Sequence, residues 1–329
     1  PSVYGADSPK MNSADLRTKG YELSLSWRDE FQLLRRPFTY SVTVTFNDYV
    51  TDITKYDNPD RTFAKSYYEG MRWGEIWGYR IGGLFATDAE AAGYAVDQTA
   101  VNNRINAAAG SERGLHAGDL KFLDLDGDNV ISIGKNTVDD PGDRKIIGNS
   151  EPRYIYTISL NADWNGFFLS ALFDGVGRQQ WFPSDESLFW GMYNRPYNQV
   201  PTWHLQNYWT EERPNAYLPR YVGYYGPMNA GTANINTRYL QDVSYIRLKN
   251  LQFGYDLPKR WISKIGLSKV SVYFSGENLW SWSPLYRHTK DFDVTVASKK
   301  SDSDISNSKG DGHNYPVMRS FSFGISITY

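Results

Sequence analysis

The sequence predicts an all-β protein whose antiparallel strands form a transmembrane β-barrel with long extracellular loops. Three observations predict it. Side chains alternate between apolar and polar in seven segments, short connections alternate with long ones, and aromatic residues stand at both ends of the apolar faces. The composition is compatible with this fold: 16% of the 329 residues are aromatic, and no run of about 18 apolar residues could form a membrane-spanning helix.

Seven segments show the alternation of a strand that has one apolar face. In the segment 319–329, the apolar residues fall on one face, which we expect to contact lipid, and hydroxyl-bearing residues fall on the other, which we expect to line the lumen. The apolar set is Phe321, Phe323, Ile325 and Ile327, and the polar set includes Ser322, Ser326 and Thr328. The other segments are residues 20–29, 38–47, 153–164, 167–175, 244–257 and 269–277. The alternation changes phase near Asn250, which predicts a β-bulge.

The connections between these segments alternate in length. The third and fourth segments are joined by Asn165-Gly166, a dipeptide that strongly favours a two-residue hairpin. The short stretch "EFQLLRRP" joins the first two. The second, fourth and sixth segments are instead followed by roughly a hundred, sixty-five and thirty residues, which is typical of barrels with tight periplasmic turns and long extracellular loops. We therefore expect all three long loops on one side of the membrane.

Other folds and functions share parts of this pattern. A secreted or surface β-sandwich that binds carbohydrate also alternates apolar and polar residues, and a passive porin uses the same kind of strand. Enzymatic motifs are missing: the sequence has no P-loop, no nucleophile elbow and no dinucleotide fingerprint, so we expect no enzyme. The net charge of −2 gives no reason to expect a nucleic-acid partner.

Four stretches of the sequence resemble one family. They are "NSADLRTKGYELSLSW" at residues 12–27, a block at residues 118–177 that begins "GDLKFLDLDGDNVIS", "YIRLKNLQFGYDLPKRWISKIGLSKVSVYFSGENLWSW" at residues 245–282, and the closing "YPVMRSFSFGISITY". In this order they resemble the C-terminal part of SusC/RagA-type TonB-dependent outer-membrane transporters. The long loops between them are less similar to that family.

The resemblance implies a barrel of about 22 strands that holds an N-terminal plug. Residues 1–329 would be a C-terminal segment with about seven of those strands, and the plug, the earlier strands and the part that contacts TonB would lie outside it. The resemblance further implies active import of oligomeric nutrients across the outer membrane of a Gram-negative cell, with a SusD-like lipoprotein as a lid. Members of the family import glycan oligosaccharides most often and peptides in some cases, and the sequence does not distinguish the two.

Three aspartates in the second of these blocks suggest a metal site. Asp124, Asp126 and Asp128 stand at the first, third and fifth positions of a calcium-loop pattern. However, Asn129 replaces the usual glycine, and Lys135 replaces the bidentate glutamate. The segment is therefore either a calcium site or an Asp-Gly turn whose carboxylates accept hydrogen bonds from backbone amides, and the turn is the simpler interpretation.

The second long loop is rich in Trp and Tyr between residues 181 and 226. Aromatic faces stack on sugar rings and are common at protein interfaces, but a loop of this length also needs internal packing. We expect an ordered extracellular rim, part of which contacts the lid or the substrate. The candidate residues are Trp190, Tyr193, Trp203, Trp209, Tyr224 and Tyr225.

One helix is predicted, over residues 86–110 in the first long loop. Thr87 and Glu90 have the spacing of a capping box at its start. Because the helix lies within a long connection, we expect it on the extracellular side.

Overall fold

The computed structural model describes residues 12, 14–102, 114–184, 187–191, 199–221, 232, 234–295 and 315–329. Strands dominate this part of the chain. In chain order the elements are β1 (Ala14–Leu33), β2 (Arg36–Tyr56), β3 (Glu75–Tyr79), β4 (Ile81–Leu84), α1 (Asp88–Ala92), β5 (Leu120–Phe122), β6 (Arg144–Asn149), β7 (Arg153–Trp164), β8 (Phe167–Arg178), β9 (Gln180–Trp181), β10 (Gln241–Asp242), β11 (Tyr245–Asp256), α2 (Lys259–Ile262), β12 (Lys269–Trp282) and β13 (Ser320–Thr328).

Seven of these strands form a single antiparallel sheet, which we call the wall. Their order is β1–β2–β7–β8–β11–β12–β13, so each strand pairs with the wall strand that comes next along the chain. All seven segments predicted from the alternation become wall strands. The remaining sheets of the described part are two-stranded and lie in the long connections.

The connections at one end of the wall are tight. Asn165 and Gly166 have φ of 47° and 91°, as a type I′ hairpin requires, so the predicted Asn-Gly hairpin is confirmed. Leu34 and Arg35 form a second two-residue turn, with φ of 51° and 62°. The link predicted after β1 is therefore shorter than expected, because β1 and β2 continue their pairing as far as Leu33 and Arg36.

One face of the wall is apolar and uncovered. Leu25 pairs with Val44 on the neighbouring strand, and a row of Phe253, Phe274 and Phe323 crosses β11, β12 and β13. The side chains of Leu25, Phe253 and Phe323 are 60%, 48% and 84% exposed. A β-sandwich would bury this face against a second sheet, and no other large sheet exists in the described part. The sandwich interpretation is therefore wrong.

The opposite face of the wall is polar. The hydroxyls of Ser26 and Thr43 lie 3.0 Å apart on β1 and β2, and Arg247 of β11 donates two hydrogen bonds, of 3.1 and 2.8 Å, to Asp174 of β8. The register of β11 shifts between Leu248 and Asn250 against both neighbouring strands, so the bulge predicted near Asn250 is confirmed.

The hydrophobic core lies beyond the other end of the wall, in the long connections. All three connections contribute to it, so they fold together as one body on one side, as predicted. We call this body the loop cap. Its buried apolar residues are Tyr79, Val101, Leu120, Phe122, Ile131, Trp181, Phe182, Phe189, Trp190, Leu218, Tyr239, Val243, Leu285, Phe292 and Val294.

The predicted helix is correct at its start and too long. The Thr87 hydroxyl accepts a hydrogen bond from the Glu90 amide at 3.1 Å, but α1 ends at Ala92. Beyond it, the side chain of Gln98 bonds to the backbone of β5, a tertiary contact that overrides helix propensity. Residues 103–110 lie outside the described part. No helix among the described residues has the length and apolar character needed to cross a membrane.

The two faces of β13 should respond differently to charge. If the apolar face contacts lipid, Ile325→Arg should reduce the free energy of unfolding of the full-length protein by about 2–4 kcal/mol, whereas Ser326→Arg should have a much smaller effect. Denaturant titration of the protein refolded into lipid bilayers measures both. Equal losses for the two variants would contradict a lipid-facing wall.

Candidate functional site in the loop cap

The loop cap packs around aromatic rings that the sequence marks as candidate contact residues. Trp190 has no exposed surface. Its ring centroid lies 5.0 Å from that of Phe189 and 5.3 Å from that of Tyr239, and its indole nitrogen donates to the carbonyl of Pro183 at 3.3 Å. This tryptophan therefore holds the second long loop together, and its faces are not available for stacking on a solute.

Two further candidates are also buried, wholly or in part. Trp203 is partly buried and rests on Phe189, with 5.1 Å between ring centroids. Trp209 is 9% exposed, and its ring fills the space where Gly118 would have a Cβ, 2.6 Å away. Gly118 also has φ of 82°, so no other residue suits this position. The other candidates, Tyr193, Tyr224 and Tyr225, lie outside the described residues.

His204 joins two parts of the second loop. Its Nε2 lies 2.8 Å from the carbonyl oxygen of Phe189, which only accepts, so Nε2 carries the proton. Its Nδ1 lies 2.6 Å from the hydroxyl of Tyr221, which donates to it. Burial lowers the pKa of His204 to about 4, so the imidazole is neutral at physiological pH.

The outer surface of this loop carries exposed aliphatic side chains. Leu188 is 61% exposed and Leu205 is 56% exposed, although each stands next to a fully buried residue, Phe189 and His204 respectively. Buried aromatic residues thus fix the position of these leucines on the surface. The sequence did not predict this surface, because the alternation of apolar and polar residues indicates strands and not which loop residues are exposed.

The three aspartates of the proposed calcium loop are close together. One carboxylate oxygen from each of Asp124, Asp126 and Asp128 lies within 4.8 Å of the others. The same carboxylates accept backbone hydrogen bonds: Asp124 from the amides of Gly127 at 2.7 Å and Asn129 at 2.8 Å. These bonds lower the pKa of Asp124. The turn interpretation agrees with this geometry, and calcium binding stays a prediction.

A charged cleft of about 450 Å³ lies where the ends of β2 and β8 meet β3 and β6. It contains three arginines and three acidic residues. These are Arg72, Arg153, Arg178, Asp52, Glu75 and Glu151. They come from four stretches of the chain that are distant from one another in sequence, so no local motif could have predicted the cleft.

The arginines of the cleft differ in their partners. Arg72 pairs with Asp52 at 2.8 Å, and Arg153 pairs with Asp48 through its Nη2 at 2.6 Å. Arg178 forms no ion pair with a carboxylate of the described part. Burial raises the pKa of Glu75. The cleft therefore offers both a guanidinium group and carboxylates, an arrangement that suits a solute with groups of both charges.

The buried imidazole gives the loop cap a pH dependence. The pKa of His204 is about 6.5 in an unfolded chain and about 4 here. The unfolded state therefore binds the extra proton between these values, so stability falls from pH 6.5 to 4 and is constant above 6.5. Over this range we expect the free energy of unfolding of the loop cap to fall by about 3 kcal/mol. Hydrogen exchange of loop-cap amides in the full-length protein measures this change.

His204→Gln is the matched control, because it keeps a neutral polar group. It should remove most of this pH dependence and leave the part due to His288, whose pKa burial also lowers. An unchanged profile in the variant would show that His204 is not the titrating group.

No family model matches the chain, but its sequence is similar to those of known TonB-dependent receptors. TonB-dependent receptor P3 of Formosa agariphila is 27% identical over 342 residues, which cover 100% of this chain and 30% of that protein. TonB-dependent receptor P39 of the same organism is 22% identical over 306 residues, which cover 85% of this chain and 28% of the relative. The chain thus spans about 30% of the length of these relatives.

Solved structures show the same fold. A structure of the RagAB peptide transporter superposes on the whole chain with a TM-score of 0.61 at 16% identity, over 31% of its own chain. The RagAB peptide importer in its "closed-closed" state gives a TM-score of 0.59, also at 16% identity over 100% of this chain and 31% of the other. The wall is therefore part of a transmembrane β-barrel, as predicted. The resemblance found in the sequence is confirmed: the chain is similar over its full length to a TonB-dependent receptor, and it shares the fold of the corresponding part of the RagAB transporter.

Proposed function

We propose that the protein of which this chain is a part imports oligomeric nutrients across the outer membrane of a Gram-negative cell, with energy supplied through TonB. The observation that carries the proposal is the wall. One of its faces is apolar and uncovered, the other is rich in hydroxyl groups, and the chain aligns over its full length with TonB-dependent receptors. A polar lumen beside a lipid-facing surface suits the passage of a hydrated solute. The plug and the segment that contacts TonB belong to the proposal and lie outside this chain.

A SusD-like lipoprotein is the proposed lid. The loop cap supports this proposal, because a rigid aromatic core holds Leu188 and Leu205 on its surface, and exposed aliphatic residues in a fixed position suit a protein interface. Trp190 and Trp209 then act by supporting that surface. A permanent lid of this kind would bury well over about 2,000 Å² in total.

The substrate is proposed to be an oligosaccharide or, as a second candidate, a peptide. The oligosaccharide proposal rests on the family resemblance, and the burial of Trp190 and Trp209 removes two of the stacking surfaces expected to support it. The charged cleft favours the second candidate, because a peptide carries both an ammonium and a carboxylate whereas a neutral glycan carries neither. The related solved structures are of a peptide transporter and importer.

Uptake by intact cells tests the proposal. A strain that lacks the full-length gene and a strain that lacks TonB should both stop depleting the same class of solute from medium containing defined oligosaccharides and peptides. The wild-type strain should deplete it. If the deletion strain depletes every solute at the wild-type rate, or if loss of TonB has no effect, active import is the wrong function.

The same cells test the lid. Solubilised wild-type protein should co-purify with a lipoprotein, and Leu188→Glu combined with Leu205→Glu should reduce its recovery at least tenfold. Leu125→Glu is the control, since Leu125 is 39% exposed on a different part of the loop cap. Equal recovery with the double variant would show that this surface is not the interface.

A further inference from the structure

The connection between β11 and β12 exposes large apolar residues at the tight-turn end of the wall. Trp261 in α2 is 55% exposed, and Ile265 in the 3₁₀ turn that follows is 71% exposed. Ile262, between them, is only 4% exposed, and its carbonyl accepts a hydrogen bond from the Leu267 amide at 3.2 Å. The buried isoleucine fixes the connection, so the exposed tryptophan and isoleucine have a defined position.

Three cationic side chains accompany these apolar residues. They are Lys259, Arg260 and Lys264, and none of them forms an ion pair with a carboxylate in the described ranges. Lys269, at the start of β12, differs because it pairs with Asp256 at 3.0 Å. The Arg260 guanidinium carbon lies 5.7 Å from the centre of the Trp261 ring. The connection therefore has a net positive charge beside an exposed indole.

An apolar groove of about 520 Å³ lies on the lipid-facing side of β11, β12 and β13. Its floor is the backbone of Gly254, Tyr273 and Gly324, which stand side by side in the strand register. The Tyr273 side chain itself points to the opposite, lumenal face. The side chains that border it are Phe253, Tyr255, Val272, Phe274, Phe323 and Ile325.

The groove and the cationic connection are adjacent. Tyr255 borders the groove, and the chain leaves β11 at Asp256 to form the connection. The connection that carries the three cations and the tryptophan thus begins directly after a strand segment that borders the groove. A lipid combines the same two elements, because an apolar acyl chain is joined to a charged headgroup at the interface.

We propose that this groove and connection form a binding site for one anionic phospholipid of the membrane leaflet at the tight-turn end. An acyl chain lies in the groove, and the phosphate lies beside Lys259, Arg260 and Lys264. The positive charge selects an anionic headgroup over a zwitterionic one, and the apolar groove selects a lipid over free phosphate. The site depends on the wall being in a membrane and is independent of the imported solute.

Native mass spectrometry of the full-length protein tests the site, with phosphatidylglycerol and phosphatidylcholine supplied in equal amounts. The wild type should retain phosphatidylglycerol at least tenfold more than phosphatidylcholine. The triple variant Lys259→Gln, Arg260→Gln, Lys264→Gln should lose this preference. Val272→Phe, which fills the groove without changing charge, should reduce retention of phosphatidylglycerol several-fold.

The matched control neutralises three exposed cations of the loop cap, Arg80, Lys145 and Lys290, and should keep the wild-type preference. Heat-dependent gel migration shows whether each variant is folded. Equal retention of both lipids by the wild type, or an unchanged preference in the triple variant, would overturn the proposal and indicate that a protein segment covers the connection. Displacement of phosphatidylglycerol by millimolar inorganic phosphate would also overturn it, since the site would then bind a free anion.

Discussion

The structure depends on one constraint, that the apolar face of the wall has to be removed from water without a second protein layer. Residues such as Leu25, Trp27 and Phe323 are more than half exposed, and lipid is the environment that makes such a surface stable. Inside a bilayer the backbone also has to satisfy its own hydrogen bonds, so the strands pair continuously and irregular chain is excluded from the membrane region. The three long connections therefore lie together at one end, where water is available.

The long connections outside the membrane have to be ordered, and the packing of the loop cap stabilises them. Long connections without a core would be too costly in conformational entropy to remain ordered. Here they bury Trp181, Trp190 and Tyr239 completely, together with Phe122 from the first connection and Phe292 from the third. The described part of the cap is consequently closely packed, and the contacts that we propose with a lid and a substrate are left to its surface and to the charged cleft. Trp190 and Trp209, which looked like contact residues in the sequence, are buried, and we propose that they support contacts made by other residues.

Local features of the sequence predicted the wall well. The alternation predicted the location of all seven strands, Asn165-Gly166 predicted a hairpin, and the phase change near Asn250 predicted a bulge. The structure contains each of them. These features could be predicted because each depends on residues that are neighbours in the sequence. Tertiary contacts determined the rest. The extension of β1 and β2, the early end of α1 and the burial of Trp190 depend on partners distant in sequence, and the charged cleft draws residues from four separate stretches of the chain.

The most direct test of the lipid-facing wall is a cysteine scan of β7 with spin labels, in the full-length protein reconstituted into bilayers. This chain contains no cysteine, so each label in it has a unique position. Labels at Ile158, Leu160 and Ala162 should be accessible to oxygen dissolved in the lipid, and labels at Thr157, Ser159 and Asn161 should be accessible to a water-soluble nickel reagent. A period of two in this accessibility is the predicted result. Equal accessibility at all six positions, or oxygen accessibility at the polar ones, would contradict the account.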